Sequence, residues 1–273
     1  MADPAVRAAY PDAEALATAG LRLDVTEEVV TVSLARPEVR NAQTPATWRA
    51  LAAVGDAVGP EVRVVVVRGD GPSFSAGVDR ATFTPEGLAG ERSLLDLAAL
   101  SDRDLDAVLE SFQRGFTWWR RPDVLTVAAV QGHAVGAGFQ LALACDLRLV
   151  ADDVRFCMRE TSLGIVPDLG GTKPLVDLVG YPRALEICAT GRFVEAAEAR
   201  ELGIATAVVP AARLGDATDD LVAALVAPLH GAAASTKQLL LGAGERTYEE
   251  QCHAERVAQT TRLRDLAVAL RGG

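Results

Sequence analysis

Two glycine turns stand out as places where this chain could hold a developing negative charge. Ser75-Ala76-Gly77-Val78-Asp79 follows shortly after the apolar run Val62 to Val67, and Gly136-Ala137-Gly138 follows the run Leu125 to Val130. A turn at the end of a buried strand can present a backbone N–H outward. Two such groups aimed at one point stabilise charge on an oxygen, which is the architecture of an oxyanion hole. Each turn alone also has a plainer use, because glycine serves wherever the backbone takes positive φ or a helix packs closely. Other constellations are poorer. Ser73-Phe74-Ser75-Ala76-Gly77 has some features of a nucleophile elbow with His133 as its base, but the first glycine is absent and no aspartate partner is assignable. Leu141 stands where a dinucleotide fingerprint starting at Gly136 needs its third glycine. His133, His230 and His253 are isolated in the sequence, so no metal site is expected.

The elements that must position these turns read as alternating strands and helices. Leu21 to Val25 and Val29 to Ala35 form a hairpin across Thr26-Glu27-Glu28. Thr44-Pro45 supplies an N-cap and first turn for a helix with the apolar stripe Trp48, Leu51, Val54 and Val58. Val62 to Val67 and Leu125 to Val130 are unbroken apolar runs, the pattern of parallel strands covered on both faces. Between them, Asp79 to Ser101 contains the breakers Pro85, Gly87 and Gly90 and is long enough to be a binding segment. Asp102 then caps a helix carrying Leu105, Val108, Leu109, Phe112, Phe116 and Trp119. Phe139 to Cys145 reads as a buried helix, with short strands at Leu147 to Val150 and Val154 to Phe156. Helices fill most of Gly171 to Gly203, a strand is expected at Ala205 to Val209, and the chain is all-helical from about Arg213.

The chain has 273 residues, of which 49% are hydrophobic, 23% charged and 5% aromatic. That is the make-up of a folded chain, and it excludes disordered, collagen-like and coiled-coil classes. One large α/β domain, or one domain with a helical appendage, fits the length. The formal net charge is −10, and lysine occurs only at Lys173 and Lys237. Arginines are spread singly, so the basic footprint of a nucleic-acid or anionic-membrane binder is missing. Cys145, Cys157, Cys188 and Cys252 lie far apart among apolar neighbours and read as reduced thiols. The first twenty residues carry Asp3, Asp12 and Glu14 and lack the pattern of a secretory signal. No run approaches the roughly 18 apolar residues of a membrane span, and a cytoplasmic protein is expected.

A specific resemblance joins the two turns. Phe74-Ser75-Ala76-Gly77-Val78-Asp79, then Gln131-Gly132-His133-Ala134-Val135-Gly136-Ala137-Gly138-Phe139-Gln140-Leu141-Ala142 and Cys145-Asp146-Leu147-Arg148, closely resemble the crotonase (enoyl-CoA hydratase/isomerase) family. Phe156 to Thr172, including Glu160 and Pro167-Asp168, is similar to the family's second signature, and Gly191 to Ala199 to a third. The resemblance runs from about Leu21 to the C-terminus. It implies an α/β superhelix of repeated β-β-α turns with a C-terminal helical trimerisation region, divided into an N-terminal extension (1–20), a core with the acyl-CoA site (21–210) and the helical region (211–273). It further implies acyl-CoA thioester substrates, a homotrimer or dimer of trimers, and no cofactor apart from the coenzyme A of the substrate.

By position, the resemblance makes the backbone amides of Val78 and Ala137 the oxyanion donors and Glu160 the general base. Family hydratases carry a second glutamate where this chain has Gln140, and a neutral amide can orient water but cannot take its proton. Gln140 is thus either a water-holding group or a core-edge residue satisfied by backbone. Asp168 matches an acid of the dienoyl-CoA isomerase branch and is either a second proton carrier or the cap of a helix starting near Gly170. Double-bond isomerisation is the preferred reaction. Hydration is the alternative, and a catalytically weak acyl-CoA-binding scaffold a third reading. The acyl pocket is expected from Asp79 to Ser101 and from the helix bearing Phe112, Phe116 and Trp119, whose apolar faces fit an ordinary core equally well. Arg36, Arg40 and Arg80 lie near family segments that approach the CoA phosphates but read as solvated surface charge.

Overall fold

The hairpin expected near the N-terminus opens a larger sheet. In the computed structural model, which describes residues 9–272, β1 (Leu21–Val25) pairs antiparallel with β2 (Val29–Leu34). A parallel series follows through β3 (Val64–Gly69), β4 (Leu125–Val130), β6 (Leu147–Ala151) and β9 (Ala207–Val209). A second sheet joins β5 (His133–Val135) to the parallel β7 (Arg155–Cys157), which pairs antiparallel with β8 (Phe193–Glu195). From β4 onward the chain alternates between sheets, passing from β4 to β5, β6 to β7 and β8 to β9. Eleven α-helices return it among the described residues: α1 (Ala13–Thr18), α2 (Pro45–Ala57), α3 (Leu94–Ala98), α4 (Asp102–Thr117), α5 (Ala137–Ala144), α6 (Thr172–Val179), α7 (Tyr181–Thr190), α8 (Ala196–Glu201), α9 (Leu214–Val226), α10 (Ala232–Gly242) and α11 (Tyr248–Gly272). An α/β spiral ending in a helical region is the architecture expected from the sequence. Residues 1–8 of the expected N-terminal extension lie outside the described residues. No helix among those described is long and apolar enough to cross a membrane.

The valine run of β3 is unbroken because neither face meets water. Val65 and Val67 enter the main core with Val30 and Val32, while Val64 and Val66 pack with Val127 and with Leu221, Val222 and Leu225 of α9. Thr44 caps α2 as expected, its hydroxyl accepting the Thr47 amide. Trp48 of α2 then meets Phe112 and Phe116 of α4 edge-on, with ring centroids 5.0 and 6.1 Å apart. This decides between the two readings of that stripe: Phe112, Phe116 and Trp119 are buried core residues, the first two against Trp48 of α2.

Smaller differences have local causes. Ser101 caps α4, its hydroxyl accepting the Asp104 amide at 3.2 Å, and Asp102 occupies the first helical turn, where its charge suits the helix dipole. The Asp79 to Ser101 stretch holds a 3₁₀ turn at Arg80–Phe83 and the short α3, capped by Ser93. β5 and β8 went unforeseen, since three residues are too few to show an alternating pattern.

One buried ion pair ties the C-terminal helices to the sheet. Lys237 of α10 donates to the Asp146 carboxylate at 2.7 Å and to the Val124 carbonyl at 2.8 Å, and the same Asp146 oxygen accepts the Thr126 amide at 2.8 Å. Lys237→Met should lower the unfolding free energy by about 3–5 kcal/mol, the cost of removing one partner from a buried pair. Denaturant titration checks this, and a loss below about 1 kcal/mol would show that the tie is dispensable.

Candidate active site

The two glycine turns lie side by side because a parallel register puts them there. Ser75 bridges Ala134 of β5 in parallel: the Ser75 amide donates to the His133 carbonyl at 2.9 Å, and the Val135 amide donates to the Ser75 carbonyl at 2.9 Å. Val78 follows Ser75 by three residues, as Ala137 follows Ala134. The two turns come together at Gly77, where an added Cβ would stand 3.8 Å from the Ala137 amide nitrogen. Ala137 is the first residue of α5, so its N–H has no intrahelical acceptor. Gln43 bridges Val78 from the other side using the Gly77 carbonyl and the Asp79 amide. Among the described residues, neither the Val78 nor the Ala137 amide has an acceptor. Gly77 permits this closeness: its φ is +89°, and a Cβ there would stand 2.6 Å from the Val135 carbonyl oxygen.

Side chains hold the first turn rigid from below. The Ser75 hydroxyl donates to the Asn41 carbonyl at 2.8 Å and accepts the Gly77 amide at 3.2 Å and the Gln43 side-chain amide at 3.1 Å. Gln43 in turn accepts the Trp48 indole N–H at 2.9 Å, linking the turn to the α2 core. Ser75 is therefore committed to backbone support and does not act as a nucleophile. Arg36, expected as solvated charge, is half-buried and pairs with Asp79 at 3.0 Å while donating to the Ala42 carbonyl.

Glu160 begins a 3₁₀ turn after β7 and is buried. Its Oε1 accepts the Gln140 amide N–H at 2.7 Å, while Oε2 is buried and has no hydrogen-bond partner among the described residues. Burial pushes the Glu160 carboxyl above the ordinary glutamate range, and the nearby Asp168 charge adds to the rise against hydrogen bonds from backbone and Gln140. Gln140 lies in α5, and its Oε1 accepts the amides of Leu169 and Gly171 at 2.9 and 3.2 Å. Burial also raises the Asp168 carboxyl. Asp168 does not cap a helix: α6 starts at Thr172 behind Gly171 and has no side-chain cap. The Asp168 carbonyl is held by Gln113 of α4 at 2.6 Å.

A cavity of about 760 Å³ spans these groups. Val78, Ala137 and Glu160 line it, with Arg40, Arg80, Phe83 and Thr84 on one wall and Arg159, Ser162, Leu163, Ile165, His133 and Phe193 elsewhere. Glu160 is the carboxylate on its wall; Asp168 and Gln140 stand behind. Of the 79–101 stretch, Asp79 to Ser101, the cavity uses Arg80, Phe83 and Thr84. Leu163, Ile165 and Phe193 escaped the sequence reading, because a three-residue strand and a 3₁₀ turn leave no periodic signal.

A spiral alternating between two sheets, with two free amides in register beside one buried carboxylate, is the crotonase arrangement. The comparisons with known proteins agree. A family model described as enoyl-CoA hydratase/isomerase matches residues 24–266. A carnitinyl-CoA dehydratase from Citrobacter koseri is 34% identical over 202 residues, covering 70% of this chain and 68% of that protein. A Mycobacterium bovis protein of enoyl-CoA hydratase type is 29% identical over 68% of this chain, a match that spans 66% of its own length. A Thermobifida fusca protein of the same type, solved with CoA, superposes with a TM-score of 0.89 at 48% identity over 94% of this chain and 98% of that one. Its complex with acetoacetyl-CoA gives 0.90 at 48%, over 93% and 99%. The chain belongs to the enoyl-CoA hydratase/isomerase family and is an acyl-CoA enzyme of that family.

A raised carboxyl pKa in the folded state means that the proton is held more tightly folded than unfolded. Stability from this group is then fully present below the unfolded glutamate value and is lost as pH rises through the raised folded value. Glu160→Gln keeps the acceptor for Gln140 and replaces a buried carboxyl that must ionise as pH rises by a neutral amide, relieving part of the cost of burying charge. Its Tm should exceed wild type by about 2–4 °C near neutral pH, and the gap should close below about pH 4. Calorimetry across pH checks this.

Proposed function

We propose that this protein moves a proton along an acyl-CoA thioester through an enolate, shifting a carbon–carbon double bond. One observation carries the reading: the cavity sets a single carboxylate, with one free oxygen, beside two unpaired backbone amides. The thioester oxygen lies between the Val78 and Ala137 amides, which stabilise the charge it gains as the α-proton leaves, an effect of about 10²–10³ in rate per donor by analogy with other oxyanion holes. Glu160 Oε2 takes that proton and returns it at the far end of the conjugated system, so no net proton is gained. Asp168, off the cavity wall, enters as a charge that keeps the Glu160 carboxyl protonatable. Proton shuttling of this kind calls for no metal or redox group, and coenzyme A enters as part of the substrate. Arg40 and Arg80 on the cavity wall offer positive charge to its phosphates.

Hydration is the second reading, favoured by the names of the relatives, an enoyl-CoA hydratase type and a carnitinyl-CoA dehydratase. Glu160 would then handle both protons of the added water, since Gln140 can take none. Product masses from a panel of 2-enoyl, 3-enoyl and dienoyl thioesters separate the two, because hydration adds the mass of one water and isomerisation adds nothing. A scaffold would convert none of them.

In either reaction Glu160→Gln should leave thioester binding within about twofold and lower turnover by about 10²–10⁴. Unchanged turnover would remove Glu160 from the mechanism.

We further propose a homotrimer or a dimer of trimers. The C-terminal helices leave Leu240, Leu241, Val257, Leu263, Val268 and Leu270 exposed in the single chain, more apolar surface than a monomer usually shows to water. Light scattering at micromolar concentration should give a mass three or six times that of the chain, and a monomer would sink the proposal.

A further inference from the structure

Gln140 was expected either to hold water or to be a core-edge residue satisfied by backbone, and its contacts fix what it can do. Its Oε1 receives two converging donors, the Leu169 and Gly171 amides, and only an oxygen can accept them. The amide orientation is thereby determined, and Nε2 faces Glu160 Oε1. The loop closes tightly over this group: a Cβ on Gly171 would stand 2.7 Å from Gln140 Cγ. Gln140 is 1% exposed and is not a wall of the cavity. It therefore reaches neither substrate nor water, and its one ionisable neighbour within hydrogen-bond reach is Glu160.

We infer that Gln140 is a positioning residue that selects Oε2 of Glu160 as the proton-accepting atom. By donating to Oε1 it occupies that oxygen and holds the carboxylate plane, so the free, unpartnered Oε2 is left as the base. An N–H donor favours the ionised carboxylate, which offsets part of the effect of burial. A glutamate at 140 would reverse this. One of its oxygens could still accept the Leu169 and Gly171 amides, but the other would meet Glu160 Oε1 acceptor to acceptor, and the pair would have to trap a proton. The remaining charged and titratable groups around Glu160 are Asp168, Cys157, Cys188 and Arg159, with Arg40, Arg80 and His133 across the cavity. None of these changes in the variants below.

This inference deepens the function proposed above, on which it rests, and its test uses two readouts that fail independently. The first is the titration of the Glu160 carboxyl by ¹³C NMR, assigned by its absence in Glu160→Gln, in wild type, Gln140→Met and Gln140→Glu. Both variants should titrate at least about one pH unit higher than wild type, the size expected for loss of a charge-assisted hydrogen bond. The second is exchange of the α-proton of butyryl-CoA in D₂O, which reports enolate formation whichever reaction follows. The acid limb of kcat/KM should move up by the same amount, with KM within about twofold and kcat recovering at alkaline pH. Gln140→Glu keeps an acceptor for the two loop amides and so reads the effect even where Gln140→Met folds poorly. An unmoved Glu160 titration overturns the inference, as does an unmoved acid limb with a several-fold rise in KM, the sign of direct substrate contact. A wild type that exchanges no α-proton while the Glu160 titration moves as expected would overturn the proposed function and leave the role of Gln140 standing.

Discussion

The pairing of Ser75 with Ala134 is the constraint on which the site depends. Because the two segments pair in parallel just before the turns, Gly77 comes up against the Val135 carbonyl and the Ala137 amide nitrogen. A slip of one residue at that bridge would exchange the groups the two segments present to each other and draw the turns apart. Much of the surrounding structure holds that register. Ser75 is clamped by Asn41, Gln43 and Gly77, and Gln43 is anchored to Trp48, which packs on Phe112 and Phe116. Each of these neutral hydrogen bonds contributes only about 1 kcal/mol net. Together they make an alternative register costly, and the precision of the amides comes from the core beneath them.

Burial at Glu160 works in two directions. Withdrawing the carboxyl from water strengthens whatever electrostatic partner it meets and raises the energy of its ionised form. The fold moderates that conflict with hydrogen bonds from the backbone and from the Gln140 amide and aggravates it with the charge of Asp168. A carboxyl placed in this way gives up stability, a recurrent bargain at functional sites. The Lys237–Asp146 pair shows the contrasting use of a buried charge. There the ammonium has two acceptors and one carboxylate oxygen accepts from both Lys237 and Thr126, and the result is an anchor for the C-terminal helices.

How much was legible in the sequence follows from how each signal is made. β3 and β4 were readable because a sheet covered on both faces demands unbroken apolar residues, and α2 because Thr44-Pro45 is a local start signal. The glycine turns were readable as a pair of N–H sources, though not their common register, which depends on a bridge between residues 59 apart in sequence. Glu160, Asp168 and Gln140 were found through motif resemblance and not through periodicity. Their mutual arrangement was beyond reach, since whether Gln140 faces water, backbone or Glu160 is decided by the loop at Leu169 to Gly171. Phe112, Phe116 and Trp119 stayed between two readings for a related reason: an apolar helical stripe looks the same against a core as against an acyl chain.

The cradle of Val78 and Ala137 is made of main chain, and that has a consequence for how such a site can evolve. Nearly any residue carries the same N–H, so a donor of this kind is not itself visible to selection on residue identity at its own position. Selection is felt one step away, at residues such as Gly77, where a single added carbon would strike the Val135 carbonyl oxygen. The arrangement is thus inherited through spacers and supports: Ala137 is itself packed in the main core, while the half-buried Val78 keeps some freedom to reshape the cavity that it lines. Substitution at Val78 would change the shape of that cavity while leaving both main-chain N–H groups in place.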